Sequence, residues 1–405
     1  MTSKDSFAFY HQLVHNIVSM NTYIFYRAIV LCLLVLTGIA GCKKKNYVLS
    51  AEPFQAPAAK LAFEPKRGIT IDRQYHSVPD PMHIEPAEIA LIKTMGFGFV
   101  KLISNPAIHK QGASAINMAH IEKMIRLVTD QGLPVVLTIH PEPDFKHSVF
   151  GTQEQFDLLL KWYESFARIL SAIAPPDRLA FQLMTEPFGD NTSPYAWNYW
   201  NKLQPALWKA VRRGMPKHTM ILSGSAVGRI EGLAMTEPVD DENVVYTFSH
   251  YEPFLFTMQG AYWPGFANTY FNFVRNVPYP SDPALIETQL AHIISDVPDA
   301  IKPEAIAALK QYGAERWNMD KLRARMKILH DWNQLHGGKM KIFAGEFGVL
   351  LKTVRPSDRY RFIKDFRQVF EENRMGWSYW SFNETFTVLK DGQQDPEMLD
   401  ALLDR

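Results

Sequence analysis

The feature that most constrains the fold of this chain is an alternation of short apolar runs with longer segments of helical periodicity. Continuous apolar strands separated by helices are typical of a parallel sheet buried on both faces. Eight strand–helix units predict an α/β fold, a single (β/α)8 TIM barrel. The eight runs are GITID (68–72), FGFVKLIS (97–104), LPVVLTIHP (133–141), LAFQLMTEP (179–187), TMILSGS (219–225), NVVYTFSHY (243–251), KMKIFAGEFG (339–348) and MGWSYWSFN (375–383).

The segments between these runs support this interpretation, because their apolar residues fall at helical spacing. A doubly wound open sheet is the alternative, but no glycine-rich phosphate loop follows the first run. The sequence shows no internal repeat and no second domain, so residues 63–405 are predicted to form one domain. The predicted helices cover about residues 86–95, 118–132, 153–173, 197–212, 318–336, 357–373 and 396–404.

The N-terminal region has the features of a targeting segment. An apolar run from Ala28 to Ala40 follows Arg27, and its length fits a signal peptide better than a membrane-spanning helix. The run ends in IAGC (39–42), which resembles the lipobox of bacterial lipoproteins, with Cys42 as the lipidated residue. Residues 1–41 are therefore predicted to be a signal peptide, which a start at Met20 would give an ordinary length. An uncleaved N-terminal anchor is the alternative.

Composition agrees with an exported protein. The only cysteines are Cys32, inside the apolar run, and Cys42, so the mature chain could form no disulfide framework. Residues 42–62 are polar and contain Ala and Pro, which predicts a tether. We therefore expect a bacterial lipoprotein anchored to a membrane, periplasmic or at the cell surface. A net charge of +1 without a long basic stripe argues against a nucleic-acid partner.

Polar and ionisable residues collect at the ends of the predicted strands. A barrel brings the carboxyl ends of its strands together at one rim, where barrel enzymes keep their catalytic groups. A single histidine or tryptophan at a strand end is commonly structural, so the argument depends on the whole set. The set is Lys101, His140, Glu186, His250, Tyr251, Glu346 and Trp380.

Two glutamates in this set predict the chemistry. Glu186 ends the fourth run and Glu346 the seventh, so they would face each other across the barrel mouth. A retaining glycoside hydrolase needs such a pair about 5–5.5 Å apart, one as nucleophile and one as acid/base. Close like charges and burial keep one carboxyl protonated near neutral pH. Two unrelated ion pairs would be the alternative explanation for these residues.

Four segments carry a resemblance to a known family. FQLMTEP, HYEPFLFTMQGAYW, IFAGEFG and GWSYWSFN resemble motifs of glycoside hydrolase family 5, the cellulase family of (β/α)8 barrels, and the resemblance covers about residues 67–390. It implies that Glu186 is the acid/base and Glu346 the nucleophile. It also implies that Tyr251 hydrogen-bonds the nucleophile, that Trp380 lies under the sugar, and that His140 is the third-strand histidine.

Several neighbours depart from the family pattern. Thr185 stands where the family usually has Asn, and Lys101 where it usually has Arg. Ser249 takes the usual position of a strand-6 His, which leaves His250 displaced by one residue and turned to the other side of the strand. Met258 replaces a common His. Lys101, Thr185 and His250 nevertheless remain candidate substrate-binding residues.

These departures leave both glutamates in place and reduce the polar contacts around them. Thr offers one hydroxyl where Asn offers an amide, and loss of a bond to the sugar 2-hydroxyl could cost about 2–4 kcal/mol in the transition state. Either the enzyme accepts a sugar with a different 2-position, or it is a slow or inactive relative that binds glycans.

The connection from 252 to 317 is too long for a simple loop of a barrel. It is rich in aromatic residues, which suit either a wall of sugar subsites or a hydrophobic plug, and Trp263 is the best candidate for stacking on a sugar. The sequence therefore predicts a retaining hydrolase of a β-linked polysaccharide or oligosaccharide. A catalytically silent glycan-binding protein on the same barrel is the alternative. No cofactor is implied, and no metal-ligand spacing occurs.

Overall fold

The computed structural model describes residues 54–57, 60–72, 84–104, 115–141, 152–187, 199–263 and 265–405. The predicted signal peptide, Cys42 and most of the predicted tether lie outside these residues. Within them, no helix combines the length and the apolar character needed to cross a membrane.

Eight parallel strands pair in chain order, and the eighth pairs with the first, so the sheet closes into a barrel. This confirms the predicted (β/α)8 architecture and excludes the open sheet. Each strand lies inside one of the eight predicted apolar runs or within one residue of it. The strands are β1 Arg67–Ile71, β2 Phe99–Ser104, β3 Val135–Ile139, β4 Leu179–Gln182, β5 Met220–Ser223, β6 Val244–Ser249, β7 Lys341–Phe347 and β8 Gly376–Tyr379.

Helices pack around the barrel at the predicted places. Residues 252–317, for which no helix was predicted, contain three helices, whose apolar residues gave no strong periodic signal. The helices are α1 Pro86–Met95, α2 Ala115–Thr129, α3 Gln153–Ile173, α4 Tyr199–Gly214, α5 Ile230–Ala234, α6 Phe254–Thr257, α7 Pro283–Ile293, α8 Lys302–Glu315, α9 Met319–Leu335, α10 Pro356–Glu372 and α11 Pro396–Leu403. A short turn Ser225–Gly228, two 3-10 turns Tyr270–Asn272 and Glu384–Phe386, and a small hairpin, β9 Leu389–Lys390 with β10 Gln393–Gln394, complete the described elements.

The barrel interior is built in two layers of different polarity. The lower layer is apolar and packs against Leu61 and Phe63, which precede β1 and close the barrel from below; its members are Phe99, Val136, Ala180, Ile221, Val245 and Phe343. Side chains two positions further along a strand point to the same side. The next layer is therefore polar, and its members are Lys101, Thr138, Gln182, Ser223, Thr247 and Gly345.

The aromatic connection between β6 and β7 serves mainly as packing. Tyr270, Phe271, Tyr279 and Trp317 are buried in the core. Trp263, by contrast, is half-buried. The hydrophobic-plug interpretation therefore describes most of this segment, whereas Tyr262, next to Trp263, is exposed at the surface.

A buried ion pair holds the bottom of the barrel, at the end opposite the strand tips. Nη2 of Arg212 on α4 lies 2.7 Å from Oδ2 of Asp241, and each side chain is only 1% exposed. The indole N–H of Trp208 donates to the same oxygen at 2.9 Å. Arg212 also donates to three backbone carbonyls, those of residues 215, 218 and 243. One carboxylate thus compensates a buried guanidinium that ties the start of β6 to α4.

Substitution of Asp241 should destabilise the barrel. Asp241→Ala leaves the buried Arg212 without its counter-ion, which we expect to lower the free energy of unfolding by about 3–5 kcal/mol. Urea unfolding followed by circular dichroism measures this change. Asp240→Ala, at the exposed neighbouring position, is the matched control and should change the free energy by less than about 0.5 kcal/mol. Equal effects of the two substitutions would contradict this role of the ion pair.

Candidate active site

Glu346 and Lys101 form a buried ion pair at the centre of the barrel. Nζ of Lys101 lies 3.0 Å from Oε1 of Glu346, and the side chains are 1% and 4% exposed. The same ammonium group donates to the carbonyl of Gly345 at 3.1 Å. An opposite charge this close favours the ionised carboxylate. The contact with Lys101 thus stabilises the ionised form of Glu346 near the tip of β7.

Gly345 makes room for this arrangement. A Cβ atom at position 345 would lie 2.4 Å from Oγ1 of Thr247 and 3.7 Å from Nζ of Lys101. Thr247 in turn donates to the carbonyl of Phe343 at 2.9 Å. The glycine before Glu346 is thus required by the close approach of β6, and the motif AGEFG has a steric reason as well as a chemical one.

The second carboxylate oxygen of Glu346 faces Tyr251. The hydroxyl of Tyr251 donates to Oε2 at 3.4 Å, and the carbonyl of Tyr251 accepts a bond from Thr257 at 2.5 Å. Burial raises the pKa of Tyr251 well above its usual value, and the negative charges of Glu346 and then Glu186 raise it further. The phenol therefore stays protonated and remains a donor. Both glutamates are close enough to Tyr251 to raise the pKa of its hydroxyl.

Glu186 has a more open environment than Glu346. Its side chain is 33% exposed, and Oε2 lies 3.4 Å from Nε2 of His140, which is 13% exposed. The residue itself has φ of +47°, a left-handed conformation that a non-glycine residue adopts at a cost of about 1–2 kcal/mol. Strain of this kind clusters at functional sites. The strained turn aims the carboxylate of Glu186 from the end of β4 toward the barrel mouth.

Thr185 is buried beside this turn. Its Oγ1 lies 2.9 Å from Oγ1 of Thr138 on β3, and its backbone N–H donates to the carbonyl of Ile139 at 2.8 Å. Only 1% of the residue is exposed. The hydroxyl of Thr185 thus bonds within the barrel wall and holds the end of β4 against β3.

Trp380 lies at the end of β8, where its backbone N–H donates to the carbonyl of Phe347 at 2.9 Å. Gly348 allows this turn to come close, since a Cβ there would lie 2.3 Å from the carbonyl oxygen of Trp380. Trp380 itself is half-buried. The peptide bond from Trp380 to Ser381 is cis. The β7 tip that carries Glu346 and the β8 tip that carries Trp380 are therefore bonded to each other.

A row of rings connects the site to the β6–β7 connection. The ring of Phe386 lies 6.1 Å from that of Tyr251 and 6.3 Å from that of Trp263. Beyond Trp263 lies Tyr262, at 5.9 Å, with 61% of its surface exposed. Trp263 thus lies on the same side of the barrel as Tyr251, two ring contacts away, and Tyr262 extends the row into solvent.

His250 points away from this group. It is 3% exposed and its imidazole stacks on Phe366 of α10, with ring centroids 5.1 Å apart. Its backbone N–H donates to the carbonyl of Glu346 at 2.8 Å. Burial lowers its pKa well below the usual value, as does the charge of Arg325. The side chain thus lies between barrel and helix, as the one-residue displacement from the family position indicates, and is not brought together with the two glutamates. Met258 is buried in the core.

One carboxylate near the site escaped the sequence analysis. Asp72 directly follows β1 and is 4% exposed, and its charge is among those that raise the pKa of Tyr251. The run GITID showed an acidic residue at a strand tip, which is the same signal that identified Glu186 and Glu346. Within the described ranges no group of three or more His, Cys, Asp or Glu side chains could hold a metal ion.

The geometry supports acid–base and nucleophilic chemistry by two carboxylates in unlike environments. Glu346 is buried, paired with Lys101 and bonded to Tyr251. Glu186 is partly exposed beside His140 and can exchange protons with a substrate or with water. Environments that differ in this way separate the roles of two carboxyl groups.

Comparison with known proteins identifies one family. The protein-family model of cellulase, glycosyl hydrolase family 5, matches residues 76–385. Endoglucanase 3 of Fibrobacter succinogenes is 25% identical over 225 residues, which are 55% of this chain and 32% of that protein. Endoglucanase C of Acetivibrio thermocellus is 24% identical over 271 residues, or 66% of this chain and 73% of that protein. The chain thus spans about a third of the length of the Fibrobacter relative.

A solved structure confirms the fold. The crystal structure of the Clostridial cellulose synthase subunit Z from Clostridioides difficile superposes with a TM-score of 0.66 at 22% identity, over 84% of this chain and all of that one. The family match covers well over half of the chain and includes both glutamates, the strand-6 segment and strand 8. This chain belongs to glycosyl hydrolase family 5.

Proposed function

We propose that this protein is a retaining O-glycosyl hydrolase that cleaves a β-linked glucan or a related polysaccharide. Glu346 attacks the anomeric carbon and Glu186 protonates the leaving oxygen, then deprotonates the attacking water. The observation that carries the proposal is the buried contact of Glu346 with Lys101 and Tyr251, because it presents an ionised carboxylate where a nucleophile is needed. The family and the endoglucanases among its relatives support a β-glucan as the substrate class.

The other site residues support this chemistry from the rim. Trp380 would provide the floor under the sugar at the cleavage point, and His140 would orient Glu186. Trp263, reached through Phe386, would stack on a neighbouring sugar ring, and an exposed aromatic face is suited to that contact. Lys101 acts on the substrate through Glu346.

Substitution of each glutamate by glutamine should lower kcat/KM with a different dependence on the substrate. Glu346→Gln should lower kcat/KM by at least about 10³-fold on every substrate, since no nucleophile remains. Glu186→Gln should lower it by about 10²–10⁴-fold on a polysaccharide. An aryl glycoside whose leaving group needs no proton should suffer much less from this change. Glu287→Gln, a glutamate 66% exposed on α7, is the control and should keep full activity.

The same assays decide the stereochemistry. A panel of β-glucans, mannans and exopolysaccharides, including cellulose, identifies the substrate, and NMR of the first product gives its anomeric configuration. Retained β configuration is expected, because the glutamates are predicted to lie at the separation of about 5–5.5 Å that retention requires. An inverted product would overturn the roles assigned to both glutamates.

A catalytically silent glycan-binding protein is the second candidate, and the environment of Thr185 favours it. Its hydroxyl bonds to Thr138 in the barrel wall, where a family member would offer an amide to the sugar. Binding of the panel glycans without turnover by the wild-type protein, unchanged in Glu346→Ala, would establish this candidate in place of the hydrolase.

Thr185→Asn tests whether the site is matched to a modified sugar. If Thr185 and Lys101 form a matched pocket, we expect the larger amide to lower kcat/KM on the best substrate of the panel by about tenfold, which equals about 1.4 kcal/mol of transition-state stabilisation. Thr138→Val is the control, because it removes the hydroxyl pair without enlarging residue 185. A clear gain on every substrate would show instead that Thr185 is a weakened contact.

The N-terminal region supports a second part of the proposal. We infer from IAGC and the apolar run before it that Cys42 is lipidated and that the enzyme is an exported lipoprotein anchored to a membrane. Cys42→Ser should move the protein from the membrane fraction to the soluble fraction, as an immunoblot of fractionated cells would show. Cys32→Ser is the control and should leave it with the membrane. Membrane association of the Cys42→Ser protein would point to an uncleaved anchor.

A further inference from the structure

A charged network surrounds Glu252, which follows the tip of β6. Oε1 of Glu252 lies 2.6 Å from Nη2 of Arg229, and Oε2 lies 2.8 Å from Nη2 of Arg325. Arg325 on α9 also bonds Glu231 on α5 at 2.7 Å. The four side chains are between 10% and 23% exposed. Glu252 therefore ties the segment after β6 to two separate helical elements.

The electrostatics of Glu252 show that this contact is strong. Burial alone would raise the pKa of its carboxyl group, yet the charges of Arg325 and Arg229 and their hydrogen bonds lower it below the usual value. Glu252 is thus ionised, and each of its two carboxylate oxygens pairs with an arginine. Loss of the charge would remove the carboxylate partner of Arg229 and leave Arg325 paired with Glu231.

Tyr251 lies between two anchored neighbours. On one side, His250 stacks on Phe366, and on the other Glu252 is held by the two arginines. Phe366 also stacks on Phe347, with the rings 5.9 Å apart. The outward residues next to Tyr251 and Glu346 therefore share one partner on α10.

The contact that this framework maintains is a marginal one. The hydroxyl of Tyr251 reaches Oε2 of Glu346 at 3.4 Å, near the upper limit for a hydrogen bond. A displacement of a few tenths of an ångström would therefore break it. Small shifts of the Tyr251 backbone should have a measurable effect on Glu346.

We propose that Glu252 is a positioning residue, which through Arg229 and Arg325 holds the Tyr251 hydroxyl on the carboxylate of Glu346. The inference rests on the proposed function only for the role of Glu346. The network acts on the site through the backbone of Tyr251, and it contributes no group to the substrate. Its loss should therefore change the titration of Glu346 and kcat before it changes substrate binding.

The direction in which the titration midpoint of Glu346 moves distinguishes a positioning role of Glu252 from a direct effect of its charge. Glu252→Gln removes a negative charge and leaves two arginines, and this charge change by itself would move the titration of Glu346 to lower pH. Loss of the tyrosine donor removes a bond to the ionised form, which moves the titration to higher pH. Lys101 and Tyr251 contact Glu346 directly. Burial, and then the charges of Glu346, Glu186, Tyr379 and Asp72, act on Tyr251. Glu252→Gln leaves the chemical identity of all these groups unchanged and can act on them only through position and through its own charge.

The experiment is an NMR titration of the full-length protein labelled with ¹³C at the glutamate carboxyl groups, with Glu346→Gln identifying the resonance of interest. Tyr251→Phe and Glu252→Gln should each move the midpoint of Glu346 upward by about 0.5 pH unit or more. In a Tyr251→Phe background, Glu252→Gln should cause no further shift of the Glu346 midpoint, because the effects of coupled residues are not additive. The acid limb of the kcat/KM profile should move with the midpoint.

Asp241→Asn is the matched control. It weakens a buried arginine–carboxylate pair at the bottom of the barrel and should lower stability without moving the titration of Glu346. A midpoint unchanged or lowered by Glu252→Gln, or an equal shift in the Tyr251→Phe background, would overturn the proposal. The titration needs no turnover, so a protein without hydrolase activity would contradict the proposed function while still deciding whether Glu252 positions Tyr251.

Discussion

The site depends on one buried ammonium group. Lys101 is inaccessible to solvent inside a closed barrel, and removal of such a charge from water costs several kcal/mol unless a partner compensates it. Its partners are Oε1 of Glu346 and the carbonyl of Gly345. The ion pair therefore fixes the tip of β7 in both position and charge. Lys101 lies in the polar layer above the apolar floor of the barrel.

The choice of lysine has a geometric consequence. An ammonium is a point charge, whereas a guanidinium presents a planar fork that suits both oxygens of a carboxylate. Lys101 engages Oε1 of Glu346, and Tyr251 engages Oε2. The two oxygens thus have separate donors on separate strands, β2 and the end of β6. The orientation of the Glu346 carboxylate consequently depends on how firmly the β6 tip is held, and the network around Glu252 contacts this tip.

The barrel could be predicted from the sequence because a buried parallel sheet requires an apolar run at each strand. Such runs, and the helical periodicity between them, are local features of the sequence. The sequence also located Glu186 and Glu346, since a carboxylate after an apolar run falls on the rim. The structure places both side chains at strand ends close to Tyr251. The helices α6, α7 and α8 were missed because they lie in a connection whose aromatic content had suggested a different role.

Contacts between distant segments were not accessible to the sequence analysis. Glu252 directly follows Tyr251, yet its partners Arg229 and Arg325 are 23 and 73 positions away in the chain, and charged residues at such separations have no pattern that reveals a pair. Asp72 was missed for a different reason, since one acidic residue at a strand end is commonly structural. His250 was retained as a candidate although its register indicated the outer side, and the stack on Phe366 gives that register a physical purpose.

At the ends of β6 and β7, the residues that face the barrel mouth are therefore positioned by neighbours that pack against the helix layer. Tyr251 and Glu346 face the mouth, while their neighbours His250 and Phe347 both stack on Phe366 of α10. Packing of aromatic rings is nearly incompressible, so this contact transmits the position of α10 to the two functional side chains. Substitutions on the outer face of the barrel can thus alter catalysis without approaching the substrate. The precision of the site is a property of the helix layer as much as of the strands that carry it.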